Sequence, residues 1–159
     1  MIRKAQPRDA ADIAPIIMPT IREGATYALD PDMSQEEALD YWMGLDRETF
    51  VAEEDGMILG TYYLRANQAG GGNHVCNCGY MTSREATGRG VARRMGEHSL
   101  AYARERGYRA MQFNFVVSTN DRAVRLWHSL GFDIVGRLPG AFRHPDQGFV
   151  DAFVMFRDL

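Results

Sequence analysis

Three groups of residues in this chain have the types and spacing that chemistry needs. Thr87-Gly88-Arg89-Gly90-Val91-Ala92 puts two glycines where a strand gives way to a helix. There, main-chain N–H groups and the positive end of a helix dipole converge on one point and can hold a pyrophosphate. The stretch from Asn120 through Asp121, Ala123, Leu126, Trp127 and Leu130 reads as an amphipathic helix that stops at Gly131 and leads into a strand at Phe132. The third group is Asn77, Asn114 and Asn120, amides set in or beside apolar strands. An amide buried there costs roughly 1–3 kcal/mol when unpaired, so each requires a backbone group, a water or a substrate as partner. As substrate ligands they would orient a reacting group and stabilise an oxyanion.

Each group also has a plainer reading. Gly88 and Gly90 could simply close a tight loop, and Arg89, Arg93 and Arg94 could be solvated helix residues. Ala123, Leu126, Trp127 and Leu130 could be an ordinary core face. Asn120 could cap its helix, a role that can coexist with ligand contact.

To position these groups the chain must supply strand, glycine turn, long helix, strand, helix, strand. Met1 to Ala5 reads as a first strand, and Pro7-Arg8-Asp9 opens a helix with Ile13, Ile16, Ile17 and Ile21 at helical spacing. Pro15 and Pro19 predict a kink in it. Ala25 to Met33 is a turn-rich connection, and Ser34 with Glu37 forms a capping box for a second helix through Met43. Phe50 to Glu54 and Met57 to Arg65 make a hairpin around Glu54-Asp55-Gly56. A glycine loop, Ala69 to Asn73, precedes a central strand from His74 to Thr82. The long helix runs from about Gly88 to Arg106 and is followed by a strand from Arg109 to Val117. Phe132 to Leu138 and Phe149 to Phe156 are the last strands, separated by a loop from Pro139-Gly140 to Gly148. The sum is an α/β fold, a mixed sheet of about six to seven strands with helices on both faces.

At 159 residues the chain is expected to be one domain, 1–159, with a core that needs no disulfide. Its net charge of −3 gives no general attraction to nucleic acid or to an anionic membrane, so neither is expected as a partner. No apolar run is long enough to cross a bilayer, and Met1 to Pro7 lacks the apolar core of a signal peptide. The expectation is a cytoplasmic protein with reduced thiols. Cys76 and Cys78 point to one strand face with His74 beside them. That set offers too few ligands to close a tetrahedral metal site, so no metal is expected. The Cα atoms of an extended C-x-C lie about 6.5–7 Å apart, at or beyond disulfide reach, which favours packed free thiols.

In their order and separation, the glycine turn and the Asn120–Phe132 helix resemble the conserved half of the GCN5-related N-acetyltransferases. The resemblance implies a sheet with a splayed central strand pair, acetyl-CoA as co-substrate, and acetyl transfer to an amine by direct attack on the thioester. Residue by residue, it implies that main-chain groups of Tyr80, Met81 and Thr82 pair with the pantetheine arm. Thr87, Gly88, Arg89, Gly90, Val91 and Ala92 would hold the pyrophosphate, with Thr87 standing where the family pattern has Arg or Gln. Asn120 and Trp127 would contact the cofactor.

Two departures from the family pattern bear on proton transfer. Trp127 stands where the family usually has a tyrosine that reprotonates the thiolate, and an indole cannot supply a proton. Asn77 stands where many relatives carry a glutamate base. The acceptor amine must therefore arrive neutral or lose its proton through water.

The segments Asn77-Cys78-Gly79-Tyr80, Met95-Gly96-Glu97, Phe113-Asn114-Phe115-Val116 and Val135-Gly136-Arg137 are similar to the azetidine-2-carboxylate (proline-analogue) N-acetyltransferases of yeast. That likeness implies catalytic contacts at Asn77 and Asn114. Ile21 to Tyr27 resembles the phosphinothricin-type amino-acid acetyltransferases. Both imply a small amino-acid-like amine, for whose carboxylate Arg22, Tyr27, Arg143 and His144 are candidates. The alternatives are a protein acetyltransferase for lysines or chain N-termini, with an open groove beside residues 22–33, and a non-catalytic acyl-CoA sensor. Many relatives dimerise, so a homodimer stays open.

Overall fold

The computed structural model describes residues Met1–Leu159. Seven strands form one sheet: β1 (Ile2–Lys4), β2 (Glu48–Glu54), β3 (Met57–Ala66), β4 (Val75–Thr82), β5 (Ala110–Val117), β6 (Asp133–His144) and β7 (Gly148–Asp158). Their order is β1-β2-β3-β4-β5-β7-β6. Every neighbouring pair is antiparallel except β4 and β5. That parallel pair is joined only at Val75↔Ala110 and Cys76↔Met111, so the two strands separate for the rest of their length, giving the splayed central pair that the family resemblance implies.

Helices cover both faces. On one lie α1 (Ala10–Glu23) and α2 (Gln35–Trp42). Ile13, Ile17 and Ile21 of α1 and Trp42 of α2 pack there against Val51, Tyr63 and Met81 of the sheet. α1 is continuous through Pro15 and Pro19, and α2 starts on the capping box read from Ser34 and Glu37. Trp42 is fully buried, and its indole N–H donates to Thr61 Oγ1 at 3.0 Å, which leaves the ring without an unpaired donor. On the opposite face, α3 (Val91–Glu105) and α4 (Asp121–Ser129) pack Met95, Leu100, Ala103 and Trp127 onto Tyr62, Cys78, Met111 and Phe113. Cys76 and Cys78 are free and buried in this layer.

The C-terminal hairpin departs from the sequence reading. Residues 139–144 are not a loop: β6 continues to His144, leaving only Pro145–Gln147 as the turn. A register shift between Leu138 and Phe142 absorbs Pro139 and Gly140, and Gly140 N–H donates to Asp151 Oδ1 at 2.9 Å. Proline is tolerated because β6 is the last strand of the sheet, where one row of backbone donors has no neighbour to serve.

Candidate active site

The β4–β5 splay opens a cleft of about 370 Å³. Main-chain polarity along β4 follows from the ladder to β3. Asn67 N–H donates to Val75 O, and Ser83 N–H donates to Leu59 O. With the register Arg65↔Asn77, Tyr63↔Gly79 and Thr61↔Met81, the main-chain groups of Asn77, Gly79 and Met81 belong to β3. Those of Cys78, Tyr80 and Thr82 face the gap. Of the three residues expected to offer main-chain groups to a pantetheine arm, Tyr80 and Thr82 are thus aimed at the gap. Met81 is not: its backbone is committed to β3 and its side chain is buried beside Tyr63 and Trp42.

Tyr27 reaches Tyr80 from the connection between α1 and α2. Its hydroxyl accepts from Tyr80 N–H at 2.7 Å and donates to Tyr80 O at 2.8 Å, taking the place a neighbouring strand would occupy. Arg22 holds the same connection in place by donating to the carbonyls of Pro31 and Met33. Thr26, Tyr27, Ala28 and Leu29 therefore form one wall of the cleft.

Both candidate catalytic asparagines line the cleft. Asn77 is 6% exposed and donates from Nδ2 to Gln112 O at 2.9 Å, across the point where β4 and β5 part. Its Oδ1 makes no hydrogen bond within the chain and is available to an amine N–H. Asn114 sits in the register shift between Phe113 and Val116, a bulge that turns its side chain into an amide chain. It accepts from Gln112 Nε2 at 2.9 Å and donates to Asn67 Oδ1 at 2.6 Å. The structure thus supplies protein partners for part of each amide, and each Nδ2 retains a second hydrogen.

The glycine turn lies outside the walls of the cleft, beyond the end of β4. Gly88 and Gly90 have φ of +83° and +75°, and no heavy atom stands within 4 Å of where a Cβ would be. This left-handed backbone exposes the start of α3: the amides of Gly88, Gly90, Val91, Ala92 and Arg93 meet no backbone carbonyl. Thr87 and Arg89 differ from expectation, since their N–H groups close the turn onto Arg84 O and Ala86 O. The Arg89 and Arg94 guanidiniums bond Glu54 at 2.7 and 3.3 Å. Asn120 caps α4, its Oδ1 accepting from Ala123 N–H at 3.4 Å, and it also lines the cleft. Trp127 forms wall and core together, with its ring 4.8 Å from Tyr80 and 4.7 Å from Phe113.

No Asp, Glu or His lines the cleft. Burial pushes the Tyr27, Tyr63 and Tyr80 phenols and the Cys78 thiol up from their usual pKa values, so all four are neutral at pH 7. The single formal charge in the wall is Arg65 of β3. Sequence reasoning passed over Arg65, Tyr41 and Tyr63. The available signal was the alternation of Thr61, Tyr63 and Arg65 along one strand face. Of the carboxylate candidates read from the sequence, Arg143 and His144 do not line the cleft but an adjoining depression of about 500 Å³, which shares Tyr27, Ala28 and Leu29 with it.

A family model described as "Acetyltransferase (GNAT) family" matches residues 17–132. N-acetyltransferase aca1 of Schizosaccharomyces pombe is 29% identical over 151 residues, covering 84% of this chain and 72% of that protein. The solved structure of a GCN5-related N-acetyltransferase from Kribbella flavida is 40% identical, covers 100% of this chain and 97% of its own, and superposes with a TM-score of 0.95. A phosphinothricin acetyltransferase from Sinorhizobium meliloti, solved in complex with acetyl-CoA, shares the fold at 20% identity. It covers 100% of this chain and 88% of that one, with a TM-score of 0.87.

Proposed function

The chain belongs to the acetyltransferase (GNAT) family and is an N-acetyltransferase; on that premise we propose that it transfers acetyl from acetyl-CoA to a small amine, an amino acid or a close analogue. The observation that carries the acceptor class is the cleft itself. Its volume is about 370 Å³, which the pantetheine arm and the acceptor must share. The end bounded by Tyr41, Tyr63, Arg65, Asn77 and Asn114 therefore suits a small molecule, and the Tyr27 connection covers one side.

In this reading the pyrophosphate sits on the free amides of Gly88, Gly90, Val91, Ala92 and Arg93. The pantetheine arm extends along β4 as an added strand on Tyr80 and Thr82, displacing the Tyr27 hydroxyl. Asn77 Oδ1 takes an acceptor N–H, and the remaining amide hydrogens of Asn77 and Asn114 support the oxyanion formed when the amine attacks the thioester carbonyl. Asn120 and Trp127 bound the arm on the α4 side.

With no carboxylate or imidazole in the wall, the chain supplies no base of matched pKa. The acceptor enters as the free amine, and the rate follows the acceptor's own ionisation. A cytoplasmic setting fits the two buried free thiols. A homodimer is supported by Ile134, Val135, Leu138 and Phe149, apolar and exposed on the β6–β7 edge, and light scattering at micromolar protein tests it. A protein acceptor is the second reading, favoured by the depression beside residues 24–31.

The experiment is an acceptor panel of amino acids, simple amines and peptides, read by thiol release from acetyl-CoA across pH 6–10. Turnover with small amines, rising with pH to a plateau set by each amine's pKa, is expected. Turnover confined to peptides would overturn the acceptor class. Binding of acetyl-CoA without turnover of any amine would favour a sensor.

A further inference from the structure

Arg65 is the one charged side chain in the cleft wall, and its guanidinium makes no hydrogen bond within the chain. Its side chain is 31% exposed, yet its Nε is buried and unpartnered. The nearest carboxylate, Asp46, lies 3.7 Å from an Arg65 Nη. Asp46 is largely exposed and already accepts from Arg47 through both oxygens, at 2.9 and 3.2 Å. Such a contact contributes little, and it does not reach Nε. The Nη groups thus carry a full positive charge with no hydrogen-bond partner in a wall otherwise without charge, an arrangement that suits an anion arriving from outside.

Geometry gives that partner its shape. The two Nη groups, the part of the guanidinium that keeps contact with the cleft, form a planar fork that matches the two oxygens of a carboxylate. Arg65 is the cross-strand neighbour of Asn77, on the same face of the sheet, and both line the cleft. One acceptor can therefore offer its nitrogen to Asn77 Oδ1 and an anionic group to Arg65. Arg47, the other arginine here with an unpartnered buried nitrogen, is different: its guanidinium lies on the Tyr41 and Tyr63 rings at 4.6 and 4.7 Å, bonds Asp46, and does not line the cleft.

We propose that Arg65 is the carboxylate anchor of the acceptor pocket, so that the preferred acceptors are free amino acids or analogues bearing a carboxylate close to the reacting amine. This rests on the small-amine reading above and narrows it. A single positive charge in an otherwise neutral wall attracts such an anion and disfavours a cationic group beside the amine.

The test compares L-proline and L-methionine with their methyl esters on the wild type, Arg65→Met and Arg65→Lys, reading kcat/KM from thiol release. Taking the ratio of acid to ester for each enzyme, and then comparing enzymes, cancels the intrinsic reactivity of the amines. That ratio should fall about thirty- to a thousandfold in Arg65→Met, mainly through KM, as expected for loss of a desolvated charge pair. Arg65→Lys should fall between the two. An equal loss with acid and ester would make Arg65 structural and overturn the assignment, as would a wild type that acetylates esters and rejects acids. If no small amine is acetylated, calorimetry of the same amino acids with the protein–CoA complex separates the two readings. Binding by wild type that Arg65→Met loses supports the anchor although the reaction class is wrong, and no binding by wild type overturns the anchor as well.

Discussion

Replacing Tyr27 by phenylalanine isolates the contact that guards the strand edge. The ring keeps its packing, including its edge-on contact with Trp42 at 6.1 Å between centroids, and loses only the hydroxyl. In the free protein that hydroxyl satisfies both Tyr80 N–H and Tyr80 O, at 2.7 and 2.8 Å. Leaving such groups without a protein partner costs about 1–3 kcal/mol when they are dry. Because they face a cleft that water can enter, about 1–2 kcal/mol is the expected loss. In a chain of this length that lowers the melting temperature by about 2–8 °C. The sign reverses with ligand. If the pantetheine arm takes these two groups, wild type must first release Tyr27 and the variant has nothing to release, so acetyl-CoA binding tightens by the same amount, about five- to thirtyfold. Thermal shift and calorimetry together should show a destabilised free protein, a larger ligand-induced shift, and bound-state melting temperatures that converge. Equal or weaker acetyl-CoA binding by Tyr27→Phe would refute the pairing of the arm with Tyr80.

The glycine turn should respond to charge more than to bulk: Gly90→Glu sets a carboxylate against the free amides and should largely abolish the acetyl-CoA-induced melting shift. Gly90→Ala carries the strain of a +75° φ without the charge and should retain most of it; an unchanged shift in folded Gly90→Glu would put the pyrophosphate elsewhere. Asn77→Ala and Asn114→Ala should each lower kcat/KM about ten- to a thousandfold in steady-state assays, and near-normal turnover in both would remove them from the site. At the chain start, hydrogen bonds from Arg3 hold Asp9 below the usual carboxylate range. A depressed folded pKa contributes stability that is present above the ordinary value near 4 and lost as pH falls through the lowered one. Thermal melts should therefore show acid destabilisation below about pH 4 that Asp9→Asn flattens, and an equally steep fall in that variant would assign it to other carboxylates.

The parts of this molecule legible in the sequence are those written in local chemistry. Ser34 and Glu37 specify a capping box within four residues. Gly88 and Gly90 specify a turn that leaves a helix start bare, and the span of an extended C-x-C, at or beyond disulfide reach, specifies free thiols at Cys76 and Cys78. The order of the predicted strands and helices was enough for a mixed α/β sheet, whereas the splayed β4–β5 pair came from the family resemblance. The C-terminal hairpin was misread because Pro139-Gly140 is a strong loop signal on its own, and it took the position of β6 at the sheet edge to make a proline tolerable inside a strand.

The acceptor side of the cleft was less legible because its residues meet only through register. Tyr27 and Tyr80 are 53 positions apart, and nothing local to either says that a side-chain hydroxyl will complete a backbone ladder. Arg65 becomes a site residue only once it is known to stand opposite Asn77, on the face where Tyr63 also lies. A slip of one residue in the β3–β4 pairing would turn the guanidinium to the α3 face and bring Leu64 into the pocket instead. Sequence motifs therefore pointed to the proposed pyrophosphate turn, which is made of consecutive residues. The acceptor half depends on a pairing that is fixed elsewhere, by Thr61, Tyr63 and Met81 packing under α1 and α2. On the proposed function, substitutions in that supporting layer are expected to change acceptor choice while leaving the glycine turn intact.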